Sequence, residues 1–378
     1  MLDHTRHVTE EDFARWTRRV VPIENDLVFS YETRLGEAAL IPAGLRCCLG
    51  RRMGLLRIRP AAPVHHRMFL LAYLGPQFQS ELRLNTIHGS TVDRLPLNRF
   101  NDFGIVLPPL AEQRAIASVL GTLDDKIESN RRLASRLEAL AAREFTVRFG
   151  TLIEGPIPLT ELVDVIPGRS YKSSELGDES ATALLSLKSI AAGGGYQPGG
   201  LKPYSGAYKP NQALIAGDVV VAVTDLTQAA NVVGRAARVP TQRQFETLVA
   251  SLDIVIMRPK APGWGSYLLG LFRSRPWLQQ ALGYSNGSTV LHLSKKAFAE
   301  FLIRCPEAGE IAGFARTCDP LHLHADALNG EAETLTRLRD ALLPKLVSGQ
   351  IRVPLTRDEQ EAVETVAAEL ATGSALGY

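Results

Sequence analysis

A mixed α/β (α+β) protein made of two copies of one domain, each copy followed by a long helix, is the fold class this 378-residue sequence predicts. Three observations predict it. A 20-residue stretch recurs without a gap at an offset of 198, short β-branched runs precede the recurrence, and a 4-3 spacing of apolar residues follows each copy.

The repeat sets GSTVDRLPLNRFNDFGIVLP at 89–108 against GSTVLHLSKKAFAEFLIRCP at 287–306, with nine of the 20 positions identical. The same offset places Phe69-Leu70-Leu71 on Tyr267-Leu268-Leu269, and a six-residue slip brings Ile23 and Asp26 onto Ile215 and Asp218. Val219-Val220-Val221 and Leu252-Asp253-Ile254-Val255-Ile256 read as strands, and the apolar segment running into GSTV reads as helical. Gly217-Asp218, Pro259 and Gly287 supply turn signals between them.

After the first copy, Ile116, Leu120, Leu123, Ile127, Asn130, Ala134, Leu137 and Ala141 follow one another in alternating steps of four and three, the seam of a coiled coil. Residues 110–149 hold one glycine, Gly121, and no proline. A continuous helix there spans roughly 60 Å at 1.5 Å per residue, long enough to act as a spacer. Shifting the seam by 198 gives Phe314, Cys318, Leu321, Ala325, Leu328, Ala332, Leu335 and Arg339, apolar until its last member. The lone polar Asn130 predicts a fixed pairing register for the helices, with each other or with a partner. Pro320 and Asn329-Gly330 predict a break in the second helix.

Composition agrees with two ordinary globular domains: 45% of residues are hydrophobic and 22% charged. No run approaches the roughly 20 apolar residues of a spanning helix, and the charged start MLDHTRHVTEEDF is unlike a signal peptide, so a cytoplasmic location without membrane association is expected. Cys47, Cys48, Cys305 and Cys318 lack CxxC spacing and are expected as reduced thiols. A net charge of +2 permits nucleic-acid binding without arguing for it.

The motifs of several chemistries are missing. No GxxxxGK[ST] loop occurs, so ATP cleavage is not placed on this chain. Pro108-Pro109 sits between Leu107 and Leu110 and lacks the flanking groups that hold a flipped base, which argues against methyl transfer. Cys318, His322 and His324 could suggest a metal, but an i, i+2 pair diverges on a helix and Cys318 belongs to the seam. Gly193-Gly194-Gly195 lacks the Lys-Ser/Thr of a phosphate loop and reads as a flexible turn. No catalytic residue, metal site or cofactor is expected on the chain.

Two stretches resemble a known family. Leu107-Pro108-Pro109-Leu110-Ala111-Glu112-Gln113, with Ile116, Leu120 and Leu123-Asp124-Asp125-Lys126-Ile127, is similar to the central conserved region of type I restriction-modification specificity (S) subunits. Residues 335–353, LTRLRDALLPKLVSGQIRV, resemble the distal conserved region. The resemblance implies a target recognition domain at 1–106, a central spacer helix at 107–150, a second recognition domain at 151–306, a distal helix at 307–353 and an additional acidic tail at 354–378. It implies that the helices form an antiparallel coiled coil. It further implies a non-catalytic subunit that reads a bipartite site in double-stranded DNA and docks modification (methyltransferase) and restriction (nuclease-translocase) subunits. S-adenosylmethionine, ATP and Mg would belong to those partners. Ile116, Leu120, Leu123, Ile127, Asn130, Leu137, Leu321, Leu328, Leu335 and Leu338 become the spacer and docking residues.

Against the second copy, the first is shorter by about 42 residues at its start, which motivates an expectation of self-association to supply an intact head. The tail residues Asp358, Glu359, Glu361, Glu364 and Glu369 suggest a short acidic helix.

For DNA contact, Arg169, Tyr171, Lys172, Lys188, Lys202, Tyr204 and Lys209 combine cations for phosphate or guanine edges with aromatic rings. Arg51 and Arg52 are their counterparts in the first copy. Ser288 and Thr289 of the repeated GSTV could donate to phosphate or cap a helix. Three rival readings are a coiled-coil scaffold that binds no DNA, an enzyme with a site in the second copy, and the specificity subunit of another multisubunit restriction system. A DNA reader loses affinity steeply with salt whereas a scaffold has none to lose. An enzyme needs a clustered acid, base and nucleophile, which the sequence does not offer.

Overall fold

A computed structural model describes residues 5–89, 92–151, 153–177, 179–226, 229–241 and 244–354. The described residues divide into two compact units, one within Met1–Ser129 and Ala332–Tyr378 and the other within Asn130–Glu331. Ser90 and Thr91 of the first GSTV, and the acidic residues of the tail, lie outside the described residues.

The first unit opens with α1 (Glu10–Trp16), whose N-cap Thr9 accepts from the Asp12 N–H. It continues through β1 (Leu27–Ser30), β2 (Ala38–Leu40) and β3 (Met53–Leu56), an antiparallel sheet in the order β2-β1-β3. Helices α2 (His66–Leu74) and α3 (Pro76–Leu84) follow, the second started by a proline whose missing N–H costs nothing in a first turn. Leu27 and Phe29 of β1 pack with Tyr73, Phe78 and Leu82, and Phe29 also stacks on Phe100 at 4.7 Å between ring centroids. Gly54, opposite Phe29, has no Cβ because one there would overlap the Phe29 ring.

The 40-residue helix α4 (Leu110–Phe149) contributes to both units. In the second unit it leads to β4 (Glu154–Pro158), β5 (Val163–Pro167), β6 (Thr182–Leu185), β7 (Leu201–Pro203), β8 (Ala213–Leu214), β9 (Val219–Ala222), β10 (Thr224–Asp225), β11 (Ala236–Arg238), β12 (Thr247–Ala250) and β13 (Ile254–Pro259). Then come α5 (Gly265–Arg273), α6 (Arg275–Gly283), β14 (Ser285–Asn286), β15 (Leu291–Leu293), α7 (Lys296–Ala299), β16 (Leu302–Ile303) and a second 40-residue helix, α8 (Ala308–Val347). Two four-stranded sheets, β11-β9-β13-β5 and β7-β6-β12-β8, carry the unit, and β12 and β6 form its one described parallel pair.

The strand β9 shows why this segment reads as an unbroken apolar run. Val219 and Val221 face the cluster that contains Leu268, Leu271 and Phe272 of α5, while Val220 and Ala222 face Leu185, Leu248 and Ile256. Both faces are covered, so the alternation of a half-exposed strand is absent.

The repeat seen in the sequence is a repeat of hydrogen-bond register. Leu27 pairs with Leu40 and Leu56, and Val219 pairs with Arg238 and Met257. The bridge Glu32–Arg94 recurs as Thr224–His292. The six-residue slip lies between the first two strands: residues 31–37 connect them in the first copy, and the longer 223–235, which includes β10, in the second. Helices α2 and α3 recur as α5 and α6, each nine residues long.

Two expectations need correction. The GSTV stretch in the second copy is the turn of a hairpin between β14 and β15, with α5 and α6 lying before it. Gly287 has φ +138, and a Cβ there, as at Gly89, would run into the carbonyl of the valine three residues on. That close approach is why glycine stands in both copies. The second long helix is also continuous through Pro320 and Asn329-Gly330. A glycine costs about 1 kcal/mol and a proline about 3 in a helix interior, whereas burying a core side chain gains about 1.5–3 kcal/mol. Cys318, Ala325, Leu328 and Ala332 are all buried along the opposite side, while Pro320 and Gly330 are exposed, so packing outweighs the local penalty.

Within each unit the segments of α4 and α8 run antiparallel. In the first unit Ile116, Ala117 and Leu120 of α4 meet Leu342, Leu343 and Leu346 of α8. In the second, Phe145 and Phe149 meet Phe314, with ring centroids 6.0 and 5.3 Å apart, and Ala134 meets Ala325 and Leu328.

Candidate nucleic-acid interface

Each head is tied at the start of its first strand by the same device. The Asp26 carboxylate accepts from the Ile23 N–H at 2.8 Å and from the Arg57 Nε and Nη2 at 2.7 and 2.6 Å. Asp218 accepts from the Ile215 N–H at 3.0 Å and from Arg258 Nη2 at 2.6 Å. Burial works against the charge of Asp26, but the bonds from Arg57 and Ile23 outweigh it and hold the carboxyl below the usual carboxylate range. These groups fix the frame; they are not placed to touch a ligand.

The cations and rings expected at the DNA surface come together only in part. Gly168 lies so close to the Ser251 carbonyl that a Cβ would overlap it, and the Arg169 N–H donates to the Ala250 carbonyl at 2.7 Å. Arg169 is thereby laid across the end of β12, with its Nε 3.4 Å from the Tyr204 hydroxyl. Lys202, on β7, holds its Nζ 6.0 Å from the centre of the Tyr171 ring. Lys172 adjoins this group, its N–H donating to Glu175 at 2.6 Å. Among the described residues none of Arg169, Lys172, Lys188, Lys202 and Lys209 has a carboxylate within ion-pair distance. Cations without carboxylate partners beside the half-buried Tyr171 ring suit a phosphate backbone and the edge of a base.

Tyr204 is corrected as a contact residue. It is 1% exposed, its ring packs on Leu184 and Val249, and its hydroxyl donates to the Ala207 carbonyl at 2.9 Å. It supports the sheet below Arg169. Lys188 stands apart, beside Gly200 where β7 begins, and Lys209 near Pro167, whose carbonyl accepts from Gln212. Ser288 and Thr289 are exposed on the β14–β15 hairpin, in a different sheet, where they cap no helix. In the first unit Arg51 is exposed, and Arg52 is engaged by Thr33 at 2.8 Å and Glu32 at 3.5 Å.

Along the helices, Ile116, Leu120, Ile127, Asn130 and Leu328 are buried, and Leu123, Leu137, Leu321 and Leu335 are half-buried. The Asn130 amide nitrogen is enclosed and finds no acceptor among the described residues. Arg339, the polar end of the second seam, pairs with Asp124 at 2.8 Å. Leu338 is exposed and outside the seam.

Two groups escaped the sequence reading. Gln113 is 2% exposed, accepts from the His65 N–H at 2.9 Å and donates to the carbonyls of Pro63 and Pro108 at 3.0 and 2.7 Å. It joins α2 to the start of α4, which gives the glutamine of the Leu-Pro-Pro-Leu-Ala-Glu-Gln motif a structural job. His322 is buried on α8, its pKa lowered to about 4 by burial and by Arg238 and Arg273. The motif was the available signal for Gln113. The sequence marked His322 only as part of a Cys318, His322, His324 group that helix geometry argued against, and gave no sign of its burial beside Arg238 and Arg273.

Four cysteines are free thiols, and among the described residues no group of three His, Cys, Asp or Glu side chains could hold a metal. No helix among the described residues is long and apolar enough to cross a membrane.

The duplicated α/β head and the two long helices form the frame, and Arg169, Lys172 and Lys202 lie near one another on the second copy. Residues 7–139 match the family described as type I restriction modification DNA specificity domain. No curated protein sequence matches the chain. The fold is similar to the crystal structure of the type I restriction-modification S subunit from M. genitalium, at 15% identity, covering 86% of this chain and 83% of that one, with a TM-score of 0.53. An HsdS subunit from Thermoanaerobacter tengcongensis matches at 20% identity, 88% and 82% coverage and a TM-score of 0.32. A structure concerned with complex assembly and conformational transition of the type I R-M system matches at 18% identity, 87% and 83% coverage and a TM-score of 0.35.

Proposed function

We propose that this chain is the DNA sequence-specificity subunit of a type I restriction-modification enzyme, reading a bipartite double-stranded site with one head per half. The observation that carries this is the duplication of the head down to its strand register, beside a specificity-domain match over residues 7–139. Two heads that share a strand register but differ in surface suit two different half-sites, and helices of fixed length between the heads suit a constant gap. In the second head, Arg169, Lys172 and Lys202 act on phosphates or base edges, and Tyr171 offers the ring.

The helices also dock the modification and restriction subunits, in this reading. On α4, Val119, Leu133, Leu140 and Val147 are exposed, the last three at seven-residue intervals. A heptad stripe outside the internal seam is what a partner helix needs for knobs-into-holes packing. Leu338 adds an exposed apolar side chain on α8. Catalysis then rests with the partners, which hold S-adenosylmethionine for methylation, and ATP and Mg for restriction.

Co-expression with a cognate methyltransferase subunit, followed by mapping of methylated adenines in the host genome, tests the proposal. A split motif with a constant gap is expected. A stable complex that methylates nothing, or only a continuous site, overturns it. The same preparation weighs self-association: a single copy of this chain per complex removes it.

A further inference from the structure

We propose that the second head carries an oxyanion site at its junction with α4, formed by Arg235, Arg273 and Ser135, which takes a phosphate group. The site is a cavity of about 270 Å³, with Ser135 and Glu138 of α4 on one side and Gly193, Gly194, Arg235 and Arg273 on the other. All of these residues lie within one compact unit.

Charge bookkeeping among the neighbours leaves one cation over. Arg273 is paired with Glu138 at 3.3 Å, and Arg238, two residues along β11 from Ala236 of the lining, is paired with Asp326. The guanidinium of Arg235 has no carboxylate or carbonyl partner among the described residues, and its Nε is sealed from solvent with no acceptor. The sealed Nε holds the fork in place without neutralising it, and a tetrahedral oxyanion in the cavity would meet the terminal nitrogens of the same guanidinium. His322, behind Arg238 and Arg273, is neutral at pH 7, so it adds no charge to the count. The field in the cavity is therefore positive by one unit from Arg235 alone.

The walls suit a small, multiply charged group. Glycines at 193 and 194, with φ +88 and +102, keep the turn free of side chains where it faces the cavity. Their N–H groups are already spent on the Asn231 and Ala191 carbonyls, so the donors to a ligand are guanidinium and hydroxyl groups. Two guanidinium forks in one cavity favour a phosphate over a halide. The phosphate could arrive free or as part of a DNA backbone. In the second case the inference rests on the DNA-reading function, and the cavity is an anchor indifferent to sequence.

The test uses the chain in complex with its methyltransferase subunit, as wild type, Arg235→Gln and Arg235→Lys. Thermal unfolding is followed with inorganic phosphate against chloride at equal ionic strength. Stabilisation of the wild type by several degrees, lost in Arg235→Gln and largely kept in Arg235→Lys, is expected. Equal stabilisation of wild type and Arg235→Gln, or none in either, overturns the proposal. The source is then read from DNA binding. A salt slope reduced by about one for specific and unrelated duplexes alike assigns the group to the DNA backbone; an unchanged slope, with phosphate stabilisation still lost, assigns it to free phosphate. An Arg235→Gln complex that keeps the wild-type methylation motif separates failure of this site from failure of the specificity function.

Discussion

Asp26 and Arg57 stand in the first head as Asp218 and Arg258 stand in the second, each pair joined at 2.6 Å and each aspartate also receiving the N–H of the isoleucine three residues before it. Neither aspartate is more than 6% exposed. An ion pair of this burial is worth keeping because one partner alone is a charge without compensation.

Arg57→Ala is therefore expected to cost about 2 kcal/mol of stability at pH 7, the range of hydrogen bonds to charged groups. The folded-state pKa of Asp26 is depressed, so its contribution is present above the unfolded pKa and is lost as pH falls through the folded value. Urea unfolding at pH 7 and pH 3 checks both: Asp26→Asn should lower stability at pH 7 and flatten the loss on acidification. An unaltered acid slope would falsify the assignment.

His322 gives a linkage of the same sign from a different cause, the burial of a neutral ring. Its imidazole is held neutral when folded, with a pKa of about 4 against 6.5 for the free group. Between those values the unfolded chain binds the proton and the folded chain does not, so stability falls as pH drops from about 6.5 to about 4, by up to about 3 kcal/mol. His322→Gln should remove that slope while keeping the helix. Unfolding free energies at pH 7, 5.5 and 4.5 measure it, and matching slopes in both proteins would refute the role.

Gln113→Ala leaves the His65 N–H and two carbonyls without partners in a buried place. A loss of about 2 kcal/mol is expected, concentrated in the first unit. Hydrogen exchange should show faster opening around α2 and no change around α5. Uniform loosening of both would show that the glutamine is not a local tie.

Lys202→Ala and Arg169→Ala should weaken DNA binding by the assembled complex and lower its salt slope by about one each if they meet phosphates. Tyr204→Phe should act through stability instead, since its hydroxyl bonds within the fold. Fluorescence anisotropy across a salt series distinguishes them. Loss of affinity without change of slope in the two cation variants would move them from phosphate to base edges.

Leu140→Glu places a charge on the exposed stripe of α4 and is expected to leave the folded chain as stable as before while abolishing association with the methyltransferase subunit. Size-exclusion chromatography with light scattering reads the complex. Full assembly by the variant would mean that partners dock elsewhere.

Local chemistry made much of this legible in advance. The GSTV glycines, the 4-3 seam from Ile116 to Ala141 and the slipped Ile23-Asp26 match each reflect contacts between residues near in sequence or repeated at one spacing, and each reappears as a turn, a buried stripe or a capped strand start. Where propensity and packing disagreed, propensity misled: Pro320 and Gly330 read as breaks because their local cost is visible in the sequence and the buried row of Cys318 to Ala332 that outweighs it depends on the neighbouring helix. Tyr204 failed for a related reason, since an aromatic among lysines gives no sign of whether its ring faces solvent or a sheet.

The sequence by itself determined the duplication, the long helices and the specificity-domain motifs, because periodicity and identity are properties of the chain. Only the tertiary structure decided that Arg57 reaches Asp26 across 31 residues, that Gln113 closes on Pro63, and that the buried Arg235 Nε finds no acceptor among the described residues. Those facts depend on side chains far apart in sequence meeting at hydrogen-bond distance, and a bond of that kind leaves no spacing or composition behind it to be read.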